Sequence, residues 1–413
     1  MVRLRFLAPL VALALTAGGC SGDSIVESTA TTPTTARPAT TTPGSGGSDG
    51  SRDKIQSRID ELIIEAQQIR GLEFLRPVDV ILLTDEEYQA RFREIIDEEF
   101  ATEDVEAINA LLRLLGIIEP DDDYLQLIET LLTSGTGGFY DPDTEELVVR
   151  LIGDDFGPYA ESVVIHELVH ALQDQHFDLL DNDDLEGDPS YVASAIIEGD
   201  ALLREATYVQ AMTLAEQAAY FTAASEIDIS ALDTLPGYIV ESFTSAYLDG
   251  FFFHQEIGLD KIDSQFTDPP ESSEQLLDGE KYRRDEQPRE VGLPDLDLPG
   301  YTLWFDAPAG QKDLELLLAD GIGEAAAGIA ASGWGGDINR VYNTGDEHAV
   351  YVLRYLGDTK ADAEQLEAAF VEFIDNMVSD TAYSLVERNS DAVLVVIASD
   401  PAVGPAVEAA FSS

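Results

Sequence analysis

Two histidines stand four residues apart in the run His166-Glu167-Leu168-Val169-His170. On an α-helix that spacing sets the imidazoles about 40° apart around the axis and about 6 Å apart along it, so both reach one metal ion. Glu167 suits a different task, because a carboxylate beside the ligands can take a proton from a water held by the ion. Zinc is the metal this donor set favours, since it accepts imidazole nitrogen and lowers the pKa of its water towards neutrality. The chemistry expected of the segment is zinc-assisted hydrolysis, with His166 and His170 as ligands and Glu167 as general base. The chain has only five histidines in 413 residues, so chance placement explains the pattern poorly.

A catalytic zinc takes a third protein ligand and keeps one position open. One candidate is His176, which gives the ligand spacing of metzincins. Those proteins have glycine where this chain has Gln173, because the helix must stop there and turn, and glutamine continues a helix. Neither Met212 nor Met377 offers a counterpart to the metzincin methionine turn. The other candidate, Glu198, lies in Ile196-Ile197-Glu198-Gly199-Asp200-Ala201. That run resembles the Glu-Gly-x-Ala segment with which gluzincins supply a third ligand from a second helix, the glycine allowing two helices to approach closely. Glu198 is the favoured ligand and His176 the alternative.

The resemblance extends to Gly138-Phe139-Tyr140-Asp141-Pro142, to Pro269-Pro270-Glu271-Ser272-Ser273-Glu274-Gln275-Leu276-Leu277 and to Gly333-Trp334-Gly335-Gly336-Asp337. Over most of the chain beyond residue 52, it is similar to a group of gluzincin-type, zincin-like bacterial and archaeal lipoproteins. This likeness implies a zinc cofactor, a zincin-like fold and a peptide or protein substrate. Two features depart from the pattern. His170 and Glu198 are separated by 27 residues, a long interval that reads as a surface insertion at 181–189, and Asp278-Gly279 stands where relatives carry His-Pro. In zincins an extended peptide pairs with a sheet edge near the active helix; the edge implied here is 146–151, with Val148 and Val149. An oxyanion donor is also implied, for which Tyr247, His254, Tyr282 and His348 are available, the two tyrosines being the substrate-binding candidates. The alternative function is a catalytically idle zincin-like lipoprotein that binds surface proteins, against which the intact Glu167 argues.

The elements that must position these residues follow from apolar periodicity. Helical spacing covers 53–70, 85–99, 103–115 and 124–132, a β-prone run covers 76–84, and a hairpin with a Pro-Asp turn covers 138–151. Gly157-Pro158 then opens a helix in which Val163, Val164, Leu168, Ala171 and Leu172 recur with helical spacing, so both histidines fall inside it. Further helices are expected over 191–214, 239–257, 314–332 and 362–377, and a buried strand over 392–398. The fold class is α+β, zincin-like and predominantly helical, with a small mixed sheet packed on the histidine-bearing helix. Residues 53–413 form the domain, divisible into an N-terminal subdomain 53–180 and a helical C-terminal subdomain 181–413.

Outside that domain, Arg3 and Arg5 precede an apolar run from Phe6 to Ala17, which reads as a secretory signal over 1–19. Ala17-Gly18-Gly19-Cys20 resembles a lipobox, which implies a lipid on Cys20, the only cysteine, and a location on the extracytoplasmic face of the cell membrane. Residues 20–52 are rich in Thr, Pro, Ser and Gly and read as a tether too poor in apolar surface to fold. A formal charge of −57 excludes nucleic acid as a partner, since phosphate binding needs a basic face. No Gly-rich phosphate loop and no serine nucleophile elbow is present.

Overall fold

Two sheets, each covered by helices, make up the computed structural model, which describes residues 6–9, 49–151, 156–182, 185–345 and 347–411. The first sheet has the order β1-β3-β4-β2, formed by β1 (Phe6–Pro9), β2 (Asp79–Thr84), β3 (Thr136–Asp141) and β4 (Glu146–Leu151). α1 (Asp49–Arg70) precedes β2, and α2 (Asp85–Glu99), α3 (Thr102–Leu114) and α4 (Tyr124–Gly135) follow it. Thr84 ends β2 and starts α2 at once, through a capping box with Glu87. β4 runs parallel to β2 and antiparallel to β3, which makes the sheet mixed.

This order corrects one expectation. β4 has its main chain paired on both sides, so Val148 and Val149 lie on an inner strand and cannot take up an extended peptide. Val148 belongs to one core and Val149 to the other. The edges of the sheet are β2 and Phe6–Pro9, the latter paired antiparallel on the outer side of β3. Apart from Phe6–Pro9 and the helix start at Asp49, the signal, Cys20 and the tether fall outside the described residues.

Against this sheet packs α5 (Pro158–Phe177), begun by Pro158 in its first turn and ended at Asp178 in the left-handed region. Sixteen of its twenty residues are buried, so it has no wet face and is enclosed by neighbours on every side. Those include α6 (Asp188–Ala211) and α7 (Leu214–Ser225). α8 (Gly237–Ile257) crosses α6 with backbones in contact, because a Cβ on Gly199 would collide with the Gly250 backbone, and one on Gly250 with Ala195. The close approach that Gly199 permits is therefore to α8 and not to the histidine-bearing helix.

The chain from Thr302 onward differs from the helical subdomain expected. It holds a five-stranded antiparallel sheet of order β5-β6-β7-β9-β8, formed by β5 (Thr302–Ala307), β6 (Trp334–Asn343), β7 (Ala349–Gly357), β8 (Tyr383–Asn389) and β9 (Ala392–Ala398). The period of two divides β7 between two cores. Tyr351, Leu353 and Tyr355 face α9 (Gly310–Ile322), α10 (Glu324–Ala331) and α11 (Lys360–Met377), while Val350 and Val352 join Leu298 and Val407 of α12 (Gly404–Phe411). Gly323, at φ 84°, separates α9 from α10 where one helix was expected.

The remaining runs of the resemblance fasten the two halves together. Asp337 accepts the backbone N–H groups of Ala309 and Gly310 at 2.8 and 2.9 Å and the Trp334 indole at 2.7 Å. Ser273 donates its N–H to Asp188 at 3.0 Å, and its hydroxyl accepts the N–H of Lys312 at 3.1 Å. Asp188 is buried at the start of α6, so the expected surface insertion closes inside the protein. Among the described residues no helix is long and apolar enough to cross a membrane.

Candidate metal centre

α5 and α6 lie side by side and bring His166, His170 and Glu198 together, with one ligand atom of each within 4.8 Å of the others. Glu198 Oε2 lies 3.3 Å from Nε2 of both histidines. The rings sit edge to face at 4.8 Å, and all three side chains are buried. This is a two-nitrogen, one-oxygen donor set able to hold a metal ion.

Its electrostatics call for positive charge at the shared point. Burial alone would push the His166 imidazole down, but the carboxylates of Glu198, Glu205 and Glu167 outweigh it and raise the group to about 10. Burial would likewise push Glu198 up, yet His170 and His166 hold it at about 2. A proton or a metal cation between the three donors satisfies the same demand.

A second layer of side chains fixes which nitrogens face that point. Nδ1 of His166 lies 3.2 Å from Glu205 Oε2, and Glu205 also accepts from Ser162 Oγ at 3.0 Å. Nδ1 of His170 lies 2.9 Å from Gln173 Oε1. The amide orientation is set by its other end, where Gln173 Nε2 donates to the Ile197 carbonyl and to Asp200 Oδ2, both at 3.0 Å. Both Nδ1 atoms thus face acceptors and donate, which leaves both Nε2 lone pairs for the shared point. Asp200 receives Arg70 Nε at 2.6 Å and Arg204 Nε at 2.9 Å; burial opposes its charge, but the two guanidiniums hold its carboxyl below the usual range.

Gly138 of β3 accounts for how close the sheet comes to the cluster. A Cβ there would stand 2.8 Å from Val163 Cγ1 and 3.2 Å from Glu167 Cγ, so only glycine lets the strand pass over Glu167. Tyr247 of α8 stacks on His166, with ring centroids 6.1 Å apart, and hydrogen-bonds Glu198.

The other expected residues lie elsewhere. His176 binds the Glu73 carbonyl at 2.8 Å from the last turn of α5, so it is not a ligand. The helix continues through Gln173, as a glutamine there predicts. Tyr282 packs on Phe253 and donates to the Asp268 carbonyl at 3.3 Å, which takes it out of the site. His254 is buried between Gln265 and the Ile196 carbonyl, and His348 sits before β7 in the second sheet, 3.4 Å from Ser399 Oγ.

Glu205 and Arg70 escaped the sequence reading, Asp200 and Gly138 entered it only as members of longer runs, and Gln173 was read only as a helix former. Two of them carried a signal. Glu205 follows Glu198 by seven residues and Gln173 follows His170 by three, and both intervals return to the same helix face.

Residues 302–408 match a family described as a domain of unknown function, DUF8575. That stretch runs from β5 into α12 and contains none of the three donors. No curated protein and no solved structure matches the chain.

Proposed function

We propose that this chain is a zincin-like, zinc-dependent peptidase of gluzincin type, tethered through a lipid on Cys20 to the extracytoplasmic face of the cell membrane. The observation that carries the reading is the convergence of His166, His170 and Glu198 within 4.8 Å, buried, with the outer nitrogen of each histidine tied to its own acceptor. Zinc bound there would supply a Lewis acid that polarises the carbonyl under attack and acidifies water. Glu167, buried beside the ligands, takes the proton of the attacking water and passes it to the leaving amine. Tyr247 is the one candidate donor beside the ligands, and its hydroxyl suits the negative charge that develops on the carbonyl oxygen.

A peptide is favoured over another amide because the outer side of β3 accepts an extended segment, as its pairing with Phe6–Pro9 illustrates. In a chain cleaved before Cys20 that side is free. The test is hydrolysis of a mixed peptide library by wild type and by Glu167→Gln. The variant is expected to keep its zinc and lose about 10²–10⁴-fold in rate, the range typical of a lost general base. Zinc-loaded wild type that cleaves nothing would make the chain a binding module instead.

A further inference from the structure

A cavity of about 380 Å³ adjoins the three-donor cluster, with Glu198 and Tyr247 in its wall. α6 and α8 form one side. β5, β6 and the first turns of α9 form the other, so the stretch matched as DUF8575 supplies the wall facing the metal ligands.

Aromatic rings make up a large part of the lining, with Tyr124, Tyr191, Tyr238, Phe243, Trp304 and Phe305 all contributing among aliphatic side chains. Its two charged groups, Glu198 and Asp313, are both acidic, beside neutral Ser, Tyr and Asn side chains. Asp313 accepts the Tyr238 hydroxyl at 2.8 Å and pairs with no Lys, Arg or His among the described residues. Asn339 is 7% exposed, and its Oδ1 has no hydrogen-bond partner there. No basic residue lines the space.

Ring faces carry negative charge density, and the Asp313 carboxylate and the unpartnered Asn339 oxygen add to it, so the charge in the cavity favours a cation. A purely apolar ligand would leave Asp313 without a counter-ion, and an anionic one would be repelled. The net charge of −57 strengthens the attraction at longer range.

We propose that this cavity is the specificity pocket for a basic side chain, Lys or Arg, next to the bond cleaved; the proposal rests on the hydrolase reading of the adjoining cluster. The aromatic walls cover the aliphatic stem, and Asp313 and Asn339 receive the charged end. Burial, partly offset by the Tyr238 hydroxyl, holds the Asp313 carboxyl up to about 6. A cation beside it favours the ionised form and relieves the cost of burying its charge.

The two tryptophans make binding readable without turnover, because Trp304 lies in the wall and Trp334 is buried elsewhere. Nα-acetyl-arginine amide and Nα-acetyl-norleucine amide are titrated into zinc-loaded Glu167→Gln protein and followed by tryptophan fluorescence, with Trp304→Phe to assign the signal. The arginine amide is expected to bind about tenfold tighter, the scale of one desolvated cation–π contact combined with an ion pair. Asp313→Asn should bring the two ligands to within about twofold. If that variant melts early, Asn339→Leu takes its place, with an expected loss of about threefold in the preference. Equal affinities in wild-type pocket chemistry, a preference that survives Asp313→Asn, or tighter binding of Nα-acetyl-tyrosine amide would overturn the proposal. A chain that prefers the arginine amide yet hydrolyses no peptide keeps this pocket and loses the peptidase reading.

Discussion

The α5–α6 pair and the middle of the sheet β5–β9 are both enclosed, but the helix pair sets a group of charged and amide side chains inside its apolar packing. In the sheet and its helices the buried side chains include Leu353, Val393, Val395, Ile397, Phe370 and Phe373. In the helix pair they include His166, Glu167, His170, Gln173, Glu198 and Asp200. Apolar burial contributes stability in proportion to area removed from water. Burying charge costs stability, and partners recover only part of the cost. The difference teaches that the sheet draws its stability almost wholly from apolar burial, while the helix pair offsets part of its own apolar stabilisation to enclose a constrained set of donors.

The largest expected effect tests the sheet. Phe370→Ala should cost about 3–5 kcal/mol, the usual penalty for emptying a large core position, read as a shift in the urea midpoint. Zinc bound per folded molecule should stay constant. A loss of zinc in the folded fraction would mean that the sheet shapes the cluster and the division between regions is false.

Next comes the converse in the helix pair. Gln173→Ala removes the acceptor for His170 and leaves Asp200 short of one donor. Zinc affinity should fall about 10–100-fold, as is common when a partner behind a ligand is lost, while the zinc-free protein keeps its fold. Competition with a chromogenic chelator measures the first, and circular dichroism the second. Unchanged affinity would reduce Gln173 to a packing residue.

The two regions also differed in how far their sequence betrayed them. His166, Glu167 and His170 were legible because a short motif on one helix fixes their relation, and Glu198 because Gly199-Asp200-Ala201 follows it. Their supports were not, since Arg70 and Asp200 meet only after the chain folds, across 130 residues. β9 stood out as an unbroken apolar run because the sheet is covered on both faces. β6 did not, since Gly335, Gly336, Asp337, Asn339 and Arg340 interrupt any alternation, and Asp337 is buried only because it fastens α9 to the strand. β4 was recognised as a strand but taken for an edge, because which strand lies outermost depends on partners far along the chain.

The smallest effect lies at the seam, where the two kinds of burial meet. Asp188 begins α6, is 2% exposed and accepts one N–H from Ser273, while its other oxygen sits against Gly310 without a hydrogen-bond partner among the described residues. Burial pushes its carboxyl up to about 7, with Ser273 opposing and Asp337 and Asp313 adding to the rise. In the unfolded chain the group titrates near 3.9, so between about pH 4 and pH 7 the folded state binds the extra proton. The stability this gives is complete below that window and is lost as pH rises through it. Asp188→Asn keeps the acceptor for Ser273 and removes the titration. From pH 5 to pH 8 the variant should therefore gain on wild type by about 2 kcal/mol, half the ceiling set by a three-unit shift at about 1.4 kcal/mol each. Urea midpoints at the two pH values measure it. Parallel profiles would mean that Asp188 ionises as freely in the folded protein as in the unfolded chain, and that the seam is not sealed from water.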